Sequence, residues 1–389
     1  MKIDKDNPKH WALLTLQGLF ACVASLLRPL RKCPEKPRVI LYGHQFNGNL
    51  RALYTHWQDA WQDRLEMYFL CLNPSLADTL EAQNIKVLRC HRLLDMLCAG
   101  RADAIISDHG PHLLTPLLHL SSMKFIDVWH GIPFKGFTPR DFKSLKPYHQ
   151  TWVSSAFMRS LYIERFGFSQ QQVITLGYAR TDRLFTRPIP RACFPDHAGI
   201  DRSKKIVLYA PTWQHDGTTS AASAFGDSSR ELLTRVSATC ALNDAILVVR
   251  AHQNSELPAI ANENIVFFSQ VDYQDTEDIL LASDVLLCDW SSIAFDFLAL
   301  NRPTLFLDTP PPFKNGFSMR PEHRFGAVIS NTAHLCDTLA QYLEQPSSYQ
   351  RRYAAKHREI AELAYDDSTD GQVAQRQLTY LMDSLNADS

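Results

Sequence analysis

Past Pro37 the chain alternates short apolar runs with longer stretches of helical pattern, and it does so in two separate series. The first reads RVILYG, a helical stretch from Asn49 to Asp63, then LEMYFLCL, IKVLRC, ADAIIS and KFIDVW. Strands and helices in that order specify a parallel α/β sheet. TWVSSAFMRSLYIERFG and VITLGYARTDRLF extend it, and the chain then enters TRPIPRACFPDHAGIDRSKK, whose proline and charge mark an interdomain linker. Beyond the linker, KIVLYA, AILVVRAH, NIVFFS, DVLLCDW and PTLFLD alternate with helical stretches such as TEDILLASD and SSIAFDFLALN, giving a second Rossmann-like domain. A chain of 389 residues is too long for one ordinary core. The predicted organisation is residues 1–36 as an N-terminal helix with its basic flank, 37–190 as an N-terminal Rossmann-like domain, 191–348 as a C-terminal Rossmann-like domain, and 349–389 as helices bracing the two. The tract from Asp216 to Ser229 reads as a flexible loop.

Composition narrows the function classes. A formal charge of -1 supplies no global basic field, so a general nucleic-acid binder is disfavoured. Nine cysteines without a C-x-x-C pair fit neither a disulfide scaffold nor a zinc ribbon, and a reducing compartment is the simpler reading. The uncharged run WALLTLQGLFACVASLL, Trp11 to Leu27, is flanked by Lys2, Lys5 and Lys9 and by Arg28, Arg31 and Lys32. It falls short of the roughly 20 apolar residues of a spanning helix and sets Thr15, Gly18, Cys22 and Ser25 on one stripe, which fits an interfacial helix. A signal peptide and a helix packed on the protein body are the alternatives.

Ligands of parallel sheets bind beyond the carboxyl ends of the strands, and the chemistry-bearing motifs follow strands. In FIDVWHGIPFKGF, His130 sits on a turn made sharp by Gly131 and Pro133 and is suited to act as a general base. Taken alone, a histidine that merely ties a turn is the favoured reading. Lys135, Arg140, Lys143 and Lys146 add a cationic stretch suited to a phosphate-bearing acceptor, or to plain solvated surface. In LYAPTW the hydroxyl and N–H of Thr212 are candidate phosphate donors, and in VVRAH Arg250 and His252 share a strand face where a guanidinium suits a diphosphate. In LLCDWSSIAFDF a strand ends at Asp289, and Ser291 and Ser292 open a helix, either as an anion site or as a plain N-cap. His109, His112 and His119 are expected on loop and helix surface rather than around a metal, and no carboxylate cluster forms a metal site.

In this order GHQFNGNLRALY, VWHGIPFKGF, VSSAF, LGYARTDRL, LYAPTW, VRAH, ASDVLLCDWSSIAFDFLALNRPTLF and DGQVAQR resemble the CDP-glycerol glycerophosphotransferases, primases and polymerases of teichoic-acid and capsule synthesis. The resemblance runs from about Val39 to Leu381. It implies a GT-B fold, two Rossmann-like domains facing across a cleft, with the N-terminal helix on the membrane. It also implies CDP-glycerol or CDP-ribitol as donor, no tightly bound cofactor, and an undefined need for divalent metal. By position, His130 and His252 resemble the family's catalytic histidines, Asp289, Ser291 and Ser292 its donor-phosphate element, and Thr212 its A-P-T-W turn. Ile132, Ala179, Gln253 and Trp290 depart from the family pattern without removing a proton-transfer or phosphate-binding group.

The expected reaction is attack by an acceptor hydroxyl on the glycerol-bearing phosphorus of the donor, with CMP leaving. His130 takes the proton, Thr212, Arg250, Asp289, Ser291 and Ser292 serve the donor, His252 stabilises charge, and Asn49, Lys135 and Arg140 serve the acceptor. The expected partners are a CDP-polyol, a lipid-linked or polymeric acceptor and the inner membrane surface, with the protein peripheral on its cytoplasmic face. A UDP-sugar glycosyltransferase or epimerase of GT-B fold is the enzymatic alternative, and a tethered binding module the non-enzymatic one.

Overall fold

The structure, a computed structural model, describes residues 6–30, 35–188, 200–201, 203–212, 225–250, 260, 262–268, 273, 275–311, 313 and 315–387. His252, linker residues 189–199 and loop residues 216–224 lie outside these. Contacts divide the chain into one unit of Met1–His130, Pro139–Asp182 and Gln372–Ser389 and a second of Gly131–Thr138 and Arg183–Gly371. The division thus falls earlier than residue 190 and separates the two C-terminal helices.

The first unit begins with α1 (Pro8–Leu27), followed by β1 (Arg38–Tyr42), α2 (Gly48–Ala60), β2 (Glu66–Cys71), α3 (Pro74–Ala82), β3 (Val87–Arg89) and α4 (Leu93–Ala99). It continues through β4 (Ala104–Ser107), α5 (Thr115–Leu120), β5 (Lys124–Asp127), β6 (Gln150–Val153), α6 (Ala156–Glu164) and β7 (Val173–Thr175), and α7 (Asp182–Phe185) starts at its boundary. The sheet is parallel in the order β3-β2-β1-β4-β5-β6-β7. Its central strands β1 and β4 are buried on both faces, as covered parallel sheets require, which is why they read as continuous apolar runs. Local chemistry starts the helices: Asn73 caps α3 ahead of Pro74, and the Ser155 hydroxyl accepts from the Met158 N–H at the head of α6.

The second unit contains β8 (Lys205–Tyr209), α8 (Ser229–Leu242), β9 (Ala245–Val249), β10 (Ile265–Phe267), α9 (Thr276–Ala282), β11 (Val285–Cys288), α10 (Ile293–Leu298), β12 (Thr304–Leu307), β13 (Ala327–Ile329), α11 (Thr332–Glu344) and α12 (Pro346–Tyr365). Its sheet runs β10-β9-β8-β11-β12-β13, again parallel, which is the dinucleotide-fold order. The last helix, α13 (Val373–Ala387), returns to the first unit, where the Asp182 carboxylate accepts from the N–H groups of Val373 and Ala374 at 2.9 and 2.8 Å.

Helix α1 is seated on the first unit, against α4 and α5, and is no free tether. Its inward face is small and polar, with Gln17, Ala21, Ala24 and Ser25 buried beside Leu14. A methyl group on Gly100 would come within 2.7 Å of the Ala24 Cβ, so the close approach of α1 there depends on small residues. Arg28 donates to the carbonyls of Gly100 and Ala102, both at 2.7 Å. The large apolar residues face out instead: Trp11, Leu19 and Leu26 are 51%, 56% and 70% exposed.

Acid should loosen the second unit through His357. This imidazole is buried, lies 2.6 Å from the Tyr349 hydroxyl, and is pulled by burial from 6.5 to about 4. Because its folded value is depressed, the folded state resists a proton that the unfolded chain accepts. The stability at stake is whole above the unfolded value and is lost as pH falls from there toward 4. At 1.36 kcal/mol per pKa unit this is up to about 3 kcal/mol. Melting curves at about pH 7 and pH 5 should show a larger loss for the native protein than for His357→Gln; equal losses would remove His357 as the cause.

Candidate functional site

Strands β1, β4 and β5 are neighbours, and between β1 and β4 the chain switches the direction in which it adds strands. Such switch points open a crevice at the carboxyl edge. His44 follows β1, Asp108, His109 and His112 follow β4, and His130 follows β5. The rings of His44 and His109 are 4.4 Å apart and those of His44 and His112 4.8 Å, while His109 stacks on His130 at 4.7 Å with an interplanar angle of 8°. The expectation that His109 and His112 lie on ordinary surface is therefore corrected. The Tyr42 hydroxyl accepts from Gln17 at 2.9 Å and shares a hydrogen bond of 2.8 Å with His112 Nδ1, and burial draws His112 down to about 4.

His130 stands on a tightly held turn. Trp129 adopts φ 46°, a left-handed conformation costly for a bulky residue. Asn49 stabilises it: its amide donates to the carbonyls of Val128 and Trp129 at 2.9 and 3.0 Å, and its oxygen accepts from Arg180 N–H at 3.0 Å. Arg180 in turn donates to the His130 carbonyl at 2.7 Å. Asn49, read from the sequence as an acceptor contact, thus has both amide hydrogens committed to backbone and acts by holding the turn. Beneath it the Asp127 carboxyl, fully buried, is pushed well above the usual carboxylate range by burial and accepts from Trp129 N–H at 3.3 Å.

The His130 ring is fixed by Asp108. Its Nδ1 lies 3.2 Å from the Asp108 carbonyl, and a carbonyl only accepts, so Nδ1 carries the proton and Nε2 keeps its lone pair. Solvent reaches His130, yet the protein packed around the ring, followed by the charge of His109, holds its pKa below the ordinary histidine value. A neutral imidazole with a free Nε2 is the form a general base needs.

In the second unit Asp289 ends β11 beside the turn after β8. Its buried Oδ1 accepts from Thr212 N–H at 2.8 Å, from the Thr212 hydroxyl and from Trp290 N–H at 2.7 Å. Burial raises its pKa, and the Thr212 and Trp290 bonds offset part of that rise. Thr212 therefore spends both donors on Asp289 and has none left for a phosphate, which corrects its expected role. Arg250 is turned inward, donating to the Tyr273 carbonyl at 2.9 Å and to the Thr276 hydroxyl at 3.1 Å, so it braces the start of α9. Ser291 and Ser292 stand in front of α10 with hydroxyls that make no hydrogen bond among the described residues, and Ser292 is exposed.

The cationic stretch separates into parts. Lys135 belongs to the second unit, pairing through backbone with Phe317, while Arg140 and Lys143 are exposed on the first. Lys146 is drawn in: its ammonium donates to the Phe166 carbonyl and lies 3.8 Å from the Phe168 ring, and desolvation lowers its pKa. Sequence reasoning missed Asp108 and His109, although S-D-H-G directly follows the strand ADAIIS. It also missed Arg324, whose guanidinium lies 4.2 Å over the Trp290 ring and 3.0 Å from Asp308. Among the described residues no group of three or more His, Cys, Asp or Glu side chains is arranged to hold a metal.

Two Rossmann-like parallel-sheet units make this a protein of the GT-B class. Over residues 31–382 it matches the CDP-Glycerol:Poly(glycerophosphate) glycerophosphotransferases, and it belongs to that family. It is 25% identical over 377 residues to the teichoic acid glycerol-phosphate transferase of Staphylococcus aureus (strain NCTC 8325 / PS 47), covering 89% of this chain and 93% of that protein. With the teichoic acid ribitol-phosphate polymerase TarL of the same organism it shares 29% identity over 53% of this chain but only 39% of that protein, so it spans well under half of that relative. Its fold is similar to that of the wall teichoic acid polymerase TagF soaked with CDPG, at a TM-score of 0.75 and 18% identity, covering 96% of this chain and 93% of that one. A UDP-GlcNAc 2-epimerase from Neisseria meningitidis shares the fold less closely, at a TM-score of 0.56 and 13% identity over 89% of this chain and all of that one.

Proposed function

We propose that this protein transfers glycerol phosphate from CDP-glycerol to a hydroxyl of a lipid-linked or polymeric cell-surface acceptor, releasing CMP. The observation that carries the reading is His130, whose Nδ1 is committed to a carbonyl and whose Nε2 is left able to accept a proton. The acceptor oxygen attacks the glycerol-bearing phosphorus, its proton passes to Nε2, and the bond to CMP breaks. The Ser291 and Ser292 hydroxyls donate to the donor's phosphate oxygens, where positioned donors give phosphoryl transfer most of its rate. His252 is the proposed second cation, and exposed Lys135 and Arg140 attract an anionic acceptor. No tightly bound cofactor takes part. Glycerol is preferred to ribitol because the match to the glycerol-phosphate transferase extends over nearly the whole of both chains. The test is to incubate the protein with membranes and CDP-glycerol, CDP-ribitol or UDP-sugars and to identify the released nucleotide. CMP from CDP-glycerol is expected; UDP from a UDP-sugar would overturn the reading.

The same proposal places the protein on the cytoplasmic face of the cell membrane, through α1. A helix that packs by its small polar face and turns Trp11, Leu19 and Leu26 outward suits an apolar medium, and its neighbours add Leu94 on α4 and Leu120 on α5, 79% and 61% exposed. Removing residues 1–32 would uncover Tyr42 and Cys90, both in contact with Gln17, so substitution is the cleaner test. Leu19→Glu or Leu26→Glu should each weaken co-sedimentation with phosphatidylglycerol vesicles roughly tenfold to a hundredfold, the equivalent of about 1.5–3 kcal/mol for one buried leucine. Unchanged sedimentation of the double variant would move the contact elsewhere.

A further inference from the structure

His130 is one of two imidazoles governed by the same residue. Asp108, 3% exposed, accepts from His130 Nδ1 with its backbone carbonyl at 3.2 Å and from His109 Nδ1 with its carboxylate Oδ1 at 2.7 Å. Both rings therefore turn the same nitrogen toward Asp108 and the other away from it. They lie nearly parallel, 4.7 Å apart, and His44 packs edgewise on His109 at 4.4 Å. The backbone makes room for this arrangement: a Cβ on Gly43 would lie 2.5 Å from the Asp108 Oδ1 and 2.6 Å from Leu50 Cδ1, so any larger residue there would have to displace the carboxylate or the leucine. A carboxylate on one nitrogen of an imidazole fixes its tautomer and ring angle, as in hydrolytic triads, where the carboxylate serves the histidine and not the substrate.

We propose that Asp108 and His109 are a positioning pair for His130: Asp108 locks both imidazoles with Nε2 outward, and the stacked His109 ring sets the angle at which His130 meets the acceptor hydroxyl. The proposal rests on His130 being the base. Among the described residues, the charged and titratable groups near His130 are Asp108 and His109 from the end of β4, His44 against His109, Asp127 bonded to the Trp129 N–H, and Arg180 on the His130 carbonyl. Of these, His109 and Arg180 push the His130 pKa down and Asp108 pulls it up. Replacing His109 by a neutral, non-basic residue therefore moves the His130 titration toward higher pH. His109→Asn keeps a donor near the Nδ1 position without a basic nitrogen; His109→Phe keeps the stacked ring and gives up the bond to Asp108.

The experiment is nitrogen-15 histidine spectroscopy of the full chain, titrated with acid, alongside steady-state kinetics. In the native protein both His109 and His130 should carry a proton on Nδ1. Asp108→Ala should release only His109 from that form, since the His130 acceptor is backbone. The His130 midpoint should rise in both His109 variants, and kcat should fall by up to about a hundredfold with the donor KM unchanged, the cost of a misplaced reacting group. His130 in the Nε2–H form, or a His130 midpoint unmoved in both variants, would overturn the pairing. The spectra read the pair without turnover, so failure of the catalytic reading shows separately, as normal turnover in His130→Ala with the titrations as stated.

Discussion

His130→Ala should fold normally and lose about a hundredfold to ten-thousandfold in turnover, the usual cost of removing a general base. The fold survives because the turn is held through main-chain atoms that alanine keeps: the Val128 and Trp129 carbonyls on Asn49, and the His130 carbonyl on Arg180. The imidazole itself is exposed and fills no core. The pH dependence carries the sign of the same environment. A base whose pKa is held below the ordinary histidine value stays unprotonated into mild acid, so the acidic limb of kcat/KM for the native enzyme should lie below that value. Near-normal turnover of His130→Ala, with a melting curve matching the native protein, would show that the proton leaves by another route.

Much of the architecture was legible because buried parallel strands are a strong signal: RVILYG, ADAIIS, KIVLYA and DVLLCDW all form sheet, as β1, β4, β8 and β11. Strand β13 was not, since AVI is three residues long and Val328 is 41% exposed, too brief for any period to register. Position along the chain singled out His130, Asp289, Ser291 and Ser292 as candidates because each closely follows a strand. Their roles depended on which donor each acceptor takes, and that is set by tertiary neighbours. Nothing in LYAPTW announces that Thr212 is used up by Asp289, a residue 77 positions away, nor in VVRAH that the Arg250 side chain folds back on Tyr273. The Asp108–His109 pair was missed for the opposite reason: its spacing from His112 invites a metal or surface reading, whereas the partner that matters is His130, on the next strand.

The second large effect is expected at the opening of α10, where stability and binding should move in opposite directions. Ser292 stands at the head of a short helix in helical backbone conformation with its hydroxyl uncommitted, and the helix dipole favours an acidic residue there. Ser292→Asp should therefore leave the melting temperature unchanged or raise it slightly. The same carboxylate would face the donor's diphosphate, and like charges brought together without solvent cost several kcal/mol, or about a hundredfold or more in affinity. Ser292→Ala removes only a neutral donor to a charged group, about 1.5–3 kcal/mol, and should cost roughly tenfold to a hundredfold. Calorimetry with CDP-glycerol should order the affinities native, then Ala, then Asp, while thermal melts do not follow that order. Equal CDP-glycerol affinity in all three proteins would detach the Ser291–Ser292 turn from the donor phosphates and leave it as the start of a helix.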